Sequence, residues 1–278
     1  MLKRTSSPTY QYGLKTATGA VRELNEDSCL AEPEKGLWLV ADGMGGHRTG
    51  DVASQIVRDT VADRIHQGSG LREAIKSAHE EVLKVAETRE GSVGMGSTVV
   101  AALVDGVDYQ VAWVGDSRAY LYDGNLARIS RDHSHVQDLL RAGAITPDEA
   151  VGHPGRHLLT RCLGVNAEST FEVGIASGRF VRGQEVLLCS DGLTDELSDS
   201  EIAEVLGSRA TAQERVERLV NAAIQHGGRD NVTVVLFSAP ADASAAVGWG
   251  KKLGILALGA GVAAGALGVA FLLLHGKM

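Results

Sequence analysis

The sequence predicts an α+β domain in which antiparallel strands and helices form separate layers. Two hairpin patterns occupy its middle, and helical patterns precede and follow them. The first hairpin joins apolar strands at 98–104 and 107–114 through Asp105-Gly106, and the second joins 118–122 to 126–129. Adjacent antiparallel strands with helices on either side in sequence favour this class over a parallel βαβ arrangement.

Four helices are predicted around the hairpins. Apolar residues recur at helical spacing over 50–66 and over 71–86. Two further helices begin at 198–201 and 211–214, where a Ser or Thr is followed three residues later by Glu. That spacing is the capping box, in which the two side chains satisfy free backbone N–H groups at the start of a helix.

The composition limits the function classes. Hydrophobic residues make up 44% of the 278 residues and aromatic residues only 4%, so aliphatic side chains must fill the core. The formal net charge of −8 and the scattered Lys and Arg residues exclude a nucleic-acid-binding face, which would need a basic surface. Cys29, Cys162 and Cys189 are odd in number and widely spaced, which is typical of a reducing compartment.

The C-terminal segment 253–274 has no charged residue and would form a helix of roughly 33 Å, long enough to cross a bilayer. Lys251 and Lys252 precede it, and the positive-inside rule then puts the preceding domain in the cytoplasm. We therefore predict a domain at 1–238, a linker at 239–252 and a single C-terminal pass through the cytoplasmic (inner) membrane. The alternative is a buried helix packed on the domain.

Carboxylates stand at the borders of apolar runs. Asp42, Asp116 and Asp191 each follow such a run, and Asp230 precedes one. Any one of them could be a turn former or a helix cap. Together with Glu26 and Asp27, they are a set of oxygen ligands for hard cations such as Mg²⁺ or Mn²⁺, and their number suits a pair of ions.

Arg22 lies close to these carboxylates in sequence, and a guanidinium matches a phosphate in shape and charge. Its alternative is a surface ion pair with Glu23 or Glu26. These residue types together predict metal-assisted hydrolysis of a phosphate ester. A phosphatase with an aspartyl nucleophile is less suitable, because neither Asp42 nor Asp191 belongs to an Asp-x-Asp pair.

Eight motifs, in order over residues 10–238, resemble the PP2C (PPM) family of metal-dependent protein serine/threonine phosphatases in its bacterial form. They are Arg22 with NED at 25–27, ADGMGGH at 41–47, GST at 96–98, VGDSR at 114–118, DHS at 132–134, LTRCLG at 159–164, CSDGL at 189–193 and GRDNVT at 228–233. The resemblance implies a four-layer α-β-β-α sandwich of two antiparallel sheets flanked by helices.

The resemblance also implies a site for two Mn²⁺ or Mg²⁺ ions, whose hydroxide attacks phosphoserine or phosphothreonine. By this resemblance, Asp42 would bridge the two ions and Gly43 would contribute its carbonyl oxygen. Asp191 and Asp230 would bind one ion, and Glu26, with Asp27 nearby, would bind the other. Asp116 with Asp191 would bind a third and weaker ion, and Arg22 would bind the phosphate. The implied partners are phosphorylated proteins and an opposing bacterial-type Ser/Thr kinase. The alternative function is an inactive membrane-tethered module that binds phosphoproteins.

Residues 132–164 match the flap beside the family's active site, and Thr146-Pro147 predicts a helix start inside it. The flap histidines fit no compact zinc motif, so we expect solvated side chains, and we assign no catalytic role to His157. Met44 stands where eukaryotic members often have the histidine proposed as general acid. Since methionine cannot donate a proton, the general acid is left unassigned.

Overall fold

Two antiparallel β-sheets lie face to face, with helices on both outer surfaces, in the computed structural model. The structure describes residues 9–45, 49–88, 94–165, 172–241 and 243. The strands are β1 Tyr12–Ala17, β2 Asp27–Glu32, β3 Leu37–Met44, β4 Gly96–Ser97, β5 Val99–Asp105, β6 Asp108–Val114, β7 Arg118–Tyr122, β8 Leu126–Arg128, β9 Gly174–Arg179, β10 Glu185–Cys189 and β11 Val232–Ser238. The helices are α1 Gly50–His66, α2 Leu71–Thr88, α3 His135–Arg141, α4 Pro147–Val151, α5 Asp191–Thr194, α6 Asp199–Leu206 and α7 Ala212–His226, with a 3-10 turn at Pro33–Lys35.

The two sheets have the orders β1-β11-β10-β7-β8 and β2-β3-β5-β6-β9, with β4 paired to β3. Within the described residues, every pair of neighbouring strands in these sheets is antiparallel. Helices α1 and α2 cover the sheet that contains β3, and α6 and α7 cover the sheet that contains β11. The predicted four-layer sandwich is therefore confirmed.

Strand β3 shows how side-chain alternation builds these layers. Leu37 and Leu39 point towards α1 and α2, whereas Trp38 and Val40 point into the layer between the sheets. Trp38 stacks on Phe237 of β11 with ring centroids 3.9 Å apart, so two of the few aromatic residues join the sheets. Each layer of side chains thus holds the next, and the strand ends are fixed relative to one another.

The predicted helix boundaries are largely confirmed. Helices α1 and α2 match the apolar periodicity, and capping boxes at Thr146, Ser198 and Thr211 begin α4, α6 and α7. One strand continues past its predicted border: Asp42 lies within β3, because β4 extends the pairing of that strand to Met44. Asp191 follows β10, as predicted, and begins the short helix α5.

The flap, residues 132–164, contains α3 and α4 and is fastened at its base. His135 N–H donates to the Leu158 carbonyl at 2.8 Å, and Thr160 N–H donates to the His133 carbonyl at 2.9 Å. Leu163 N–H also donates to the Ser97 carbonyl at 2.8 Å. The flap therefore ends against β4, which pairs with the strand that carries Asp42 and Gly43.

Within the described residues, none of the helices has the length and apolar character that spanning a bilayer requires. The predicted span at 253–274 lies outside the described residues, as does the linker at 239–252 except for residues 239–241 and 243. Both remain predictions.

Candidate active site

A cavity of about 220 Å³ opens where the ends of the two sheets meet. Seven of the eight predicted site residues line it: Arg22, Glu26, Asp42, Gly43, Asp116, Asp191 and Asp230. Met44, Gly45, Thr98, His157 and Leu159 complete its wall. Side chains separated by more than 200 positions in sequence are thus brought to one point.

Asp42 is held by its own backbone. Its N–H donates to Thr98 Oγ1 at 3.2 Å, and its carbonyl accepts from Thr98 N–H at 2.8 Å and from Ser97 Oγ at 3.0 Å. The neighbouring Gly43 has no room for a side chain, since an added Cβ would lie 2.6 Å from the Glu26 carbonyl oxygen. The strand consequently presents the Asp42 carboxylate and the Gly43 carbonyl group in a fixed arrangement.

Asp27 is the eighth predicted residue and does not line the cavity. It pairs with Asp42 across β2 and β3, and its Oδ2 accepts hydrogen bonds from Ser190 Oγ at 2.9 Å and Thr233 Oγ1 at 2.6 Å. Thr233 lies on β11 of the opposite sheet, and Ser190 directly follows β10 of that sheet. Asp27 therefore joins the two sheets directly behind Asp42.

Asn231 fastens the segment that carries Arg22 and Glu26. Its Oδ1 accepts from Glu26 N–H at 2.8 Å, and its Nδ2 donates to the carbonyls of Thr18 and Leu24 at 2.9 and 2.8 Å. Glu26 Oε1 in turn accepts from Gly50 N–H, at the start of α1, at 3.2 Å. Asn231 thus holds the segment that carries Glu26 next to Asp230, its own neighbour in the chain.

Arg22 donates from Nη2 to Asp230 Oδ2 at 2.6 Å. The alternative predicted from the sequence was an ion pair with Glu23 or Glu26. It was wrong, because the partner is Asp230. About half of the Arg22 side chain is exposed, which leaves the rest of its guanidinium fork open to the cavity. Asp230 thus aims Arg22 while keeping its own second oxygen for Asn231 N–H, at 2.8 Å.

Asp116 follows β6 in a turn that is braced from Thr98. Ser117 Oγ lies 2.7 Å from Thr98 Oγ1, the same hydroxyl that accepts from Asp42 N–H. Arg118 binds Asp132 rather than Asp116, with Nη2 to Oδ2 at 3.0 Å. Arg118 therefore forms its ion pair with Asp132 of the flap and not with Asp116.

Electrostatics in the cluster favour neutralisation. Burial, and then the charge of neighbouring carboxylates, raises the pKa of Asp116 to about 8 and the pKa of Asp191 to about 6. The pKa of Asp42 lies well above its ordinary value for the same reasons, in that order. Burial likewise raises the pKa of Asp27 to about 7, against the hydrogen bonds it accepts. Such a cluster is stable with its charges only when cations compensate them.

The residues fit divalent cations. Among the side chains the structure describes, Asp27 Oδ1 and Asp191 Oδ1 are buried without a hydrogen-bond partner. The cavity's carboxylates and the Gly43 carbonyl supply only oxygen, the donor set that Mg²⁺ and Mn²⁺ prefer. A second group, His157 with Asp191 and Asp195, has one ligand atom from each residue within 4.8 Å of the others.

The expectation that the flap histidines are solvated holds for exposed His157 and is wrong for half-buried His133.

Residues 19–226 match the family model described as protein phosphatase 2C. The serine/threonine phosphatase stp of Listeria monocytogenes is 37% identical over 236 residues, which cover 80% of this chain and 93% of the relative. The chain belongs to the protein phosphatase 2C family. This confirms the resemblance seen in the motifs and makes the protein a member of the bacterial, metal-dependent serine/threonine phosphatases.

Solved phosphatase 2C structures share this fold. The serine/threonine phosphatase PstP/Ppp of Mycobacterium tuberculosis superposes with a TM-score of 0.76 at 36% identity, covering 83% of this chain and 99% of that one. A PstP catalytic domain in complex with two manganese ions has a TM-score of 0.73 at 36% identity, covering 82% and 97%. Metal dependence is thus a property of the family, and two ions are present in that relative.

Several site residues were missed in the sequence. Ser190 and Thr233 bind the Asp27 carboxylate, and Thr98 and Asn231 bind the main chain at Asp42 and Glu26, although none of the four was assigned a role from the sequence. His157 lines the cavity although no role was assigned to it. The signal for Asn231 and Ser190 was their place directly beside a predicted ligand aspartate.

Proposed function

We propose that this phosphatase 2C protein hydrolyses phosphoserine and phosphothreonine in cytoplasmic proteins, opposing a bacterial-type Ser/Thr kinase. The observation that supports this is one cavity containing four aspartates, a glutamate and an arginine fork. Two divalent ions, when bound, would supply the positive charge that lowers the pKa of an attacking water. Asp42, Asp191 and Asp230 would hold them together with Glu26 and the Gly43 carbonyl, all of which line the cavity.

Arg22 would bind the phosphoryl oxygens of the substrate. Its ion pair with Asp230 orients the guanidinium from one side and leaves its remaining N–H groups free for an anion. Since half of the side chain is exposed, a phosphate on a protein surface can reach it. Arg22 thereby orients the phosphorus towards the attacking water without a covalent enzyme intermediate.

Proton delivery to the leaving alcohol is not assigned to a side chain. Met44 lines the cavity and has no proton to give, and His47 lies outside the described residues. We propose that water in the cavity protonates the leaving oxygen of serine or threonine.

The test is hydrolysis of a phosphothreonine peptide with and without Mn²⁺. We expect turnover with Mn²⁺ and none after chelation with EDTA. Arg22→Ala should raise KM about 10–100-fold because it removes a charge-assisted pair of hydrogen bonds to phosphate. Arg58→Ala, a partly exposed arginine on α1 paired with Asp59, is the matched control and should resemble the wild type. Binding of the phosphopeptide without turnover would instead support the inactive binding module.

We further propose that residues 253–274 tether the catalytic domain to the cytoplasmic membrane. The apolar composition of that segment and Lys251 and Lys252 before it support this. In fractionated cells, the full chain is expected in the membrane pellet, released by detergent and not by 1 M salt, whereas a chain ending at residue 245 is expected in the supernatant. Equal distribution of the two would contradict the tether.

A further inference from the structure

His133 closes a set of contacts around the turn that carries Asp116. Its backbone N–H donates to the Gly115 carbonyl at 2.9 Å, and its ring Nδ1 accepts from the Gly115 N–H at 3.2 Å. Both polar groups of Gly115 are therefore bound by one flap residue. Asp116 is the next residue in the chain, so His133 fixes the residue that directly precedes it.

The turn has little freedom on its other side. Gly115 has φ +104°, which L side chains rarely adopt, and an added Cβ would lie 2.6 Å from Thr98 Cγ2. Thr98 is the residue that binds the backbone of Asp42. The Asp116 turn is thus held between a residue that holds Asp42 and the imidazole of His133.

The ring of His133 is itself held in place. It stacks near Trp113 of β6, with centroids 6.4 Å apart and planes at 26°, and Trp113 Nε1 donates to the Arg131 carbonyl at 2.7 Å. Accepting at Nδ1 requires a neutral ring with its proton on Nε2. Burial, and then the charge of Arg161, lowers the pKa of His133 to about 4, so the ring stays in the accepting form near neutral pH.

We propose that His133 is a positioning residue for the phosphatase reaction: its imidazole fixes the Gly115 peptide, and through it the Asp116 carboxylate, in the active cavity. This rests on the proposed function for its kinetic consequence but not for its structural one. Lysine, an alkyl group or a phenyl ring at position 133 has no atom that could accept the Gly115 N–H. Asparagine could accept, because its Oδ1 lies close to the position of Nδ1.

The kinetic test compares His133→Phe, which keeps a ring and loses the acceptor, with His133→Asn. We expect His133→Phe to lower kcat/KM about 10-fold and His133→Asn to restore it to within about 3-fold of the wild type. His135→Asn is the matched control on the exposed face of the same flap and should behave as the wild type. If His133→Phe does not fold, His133→Gln replaces it, since its carboxamide oxygen lies one carbon further out.

Two readouts separate positioning from general stability. In an Asp116→Asn background, His133→Phe should lower kcat/KM less than about 2-fold, because a residue that acts through Asp116 has nothing further to position. Amide hydrogen exchange at Gly115 should be faster in His133→Phe and restored in His133→Asn. A full 10-fold loss in the Asp116→Asn background, or unchanged Gly115 exchange, overturns the proposal. If the wild type has no phosphatase activity, the proposed function fails while the exchange experiment still decides this inference.

Discussion

Asp42→Asn is expected to lower metal-dependent hydrolysis of p-nitrophenyl phosphate at least about 10³-fold. The amide keeps the shape of the side chain but removes the charge that a bridging ligand for two ions requires. The fold should persist, because backbone hydrogen bonds to Ser97 and Thr98 hold residue 42 and do not depend on its side chain. Asp191→Asn should behave alike, since its buried carboxylate faces the same cavity.

The control for these variants is Asp138→Asn, a partly exposed flap aspartate whose partner is Arg141. Its kcat/KM should equal that of the wild type. Circular dichroism and the melting temperature show whether each variant is folded. Without metal, Asp42→Asn should melt slightly higher than the wild type, because one charge has left a repulsive cluster. Retained activity in either Asp42→Asn or Asp191→Asn would refute the assignment of a two-ion site.

Local patterns predicted the layers of this fold because apolar residues recur at a different spacing in helices than in strands. The signals for the helices are local: the apolar spacing of α1 and α2 and the capping boxes of α6 and α7 each involve residues only a few positions apart. The strand borders were less well predicted, because they depend on partners. Asp42 lies inside β3 because it pairs with Asp27 of β2, and because Gly96 and Ser97 of β4 pair with the two residues that follow it.

The carboxylates of the site could be found in sequence because charged residues beside apolar runs are conspicuous. The groups that hold them could not. Asp27 accepts from Thr233, 206 positions away, and no local pattern relates the two. His133 was part of a recognised motif, yet its role depends on the Gly115 peptide that the fold brings to it.

The metal-free protein is expected to lose stability as the pH rises. The pKa values of Asp27, Asp116 and Asp191 in the folded state are about 7, 8 and 6, above the ordinary value for aspartate. A carboxyl group whose pKa is raised by folding stabilises the fold while it is protonated. That contribution is complete below about pH 4 and disappears as the pH rises through the folded-state values.

Between pH 5 and pH 8 in EDTA, we expect the free energy of unfolding to fall by several kcal/mol and Tm by roughly 10 °C or more, because three carboxyl groups lose most of their protons over this range. His133 acts in the opposite direction, because its lowered pKa favours the fold above about pH 6.5. It is one group against several carboxylates, so the loss should prevail. Exposed Glu149, Glu201 and Glu214, whose pKa values are lowered by their capping bonds, titrate below this window.

Saturating Mn²⁺ should remove this dependence, because bound cations replace the protons as compensating charge. The measurement is Tm by calorimetry at pH 5, 6, 7 and 8, with EDTA or with Mn²⁺. Asp116→Asn should reduce the slope in EDTA, since it removes the carboxyl group with the highest of the three values. A metal-free Tm that is constant or rises over this range would mean that the carboxylates are solvated, and the cavity would then have no electrostatic reason to bind cations.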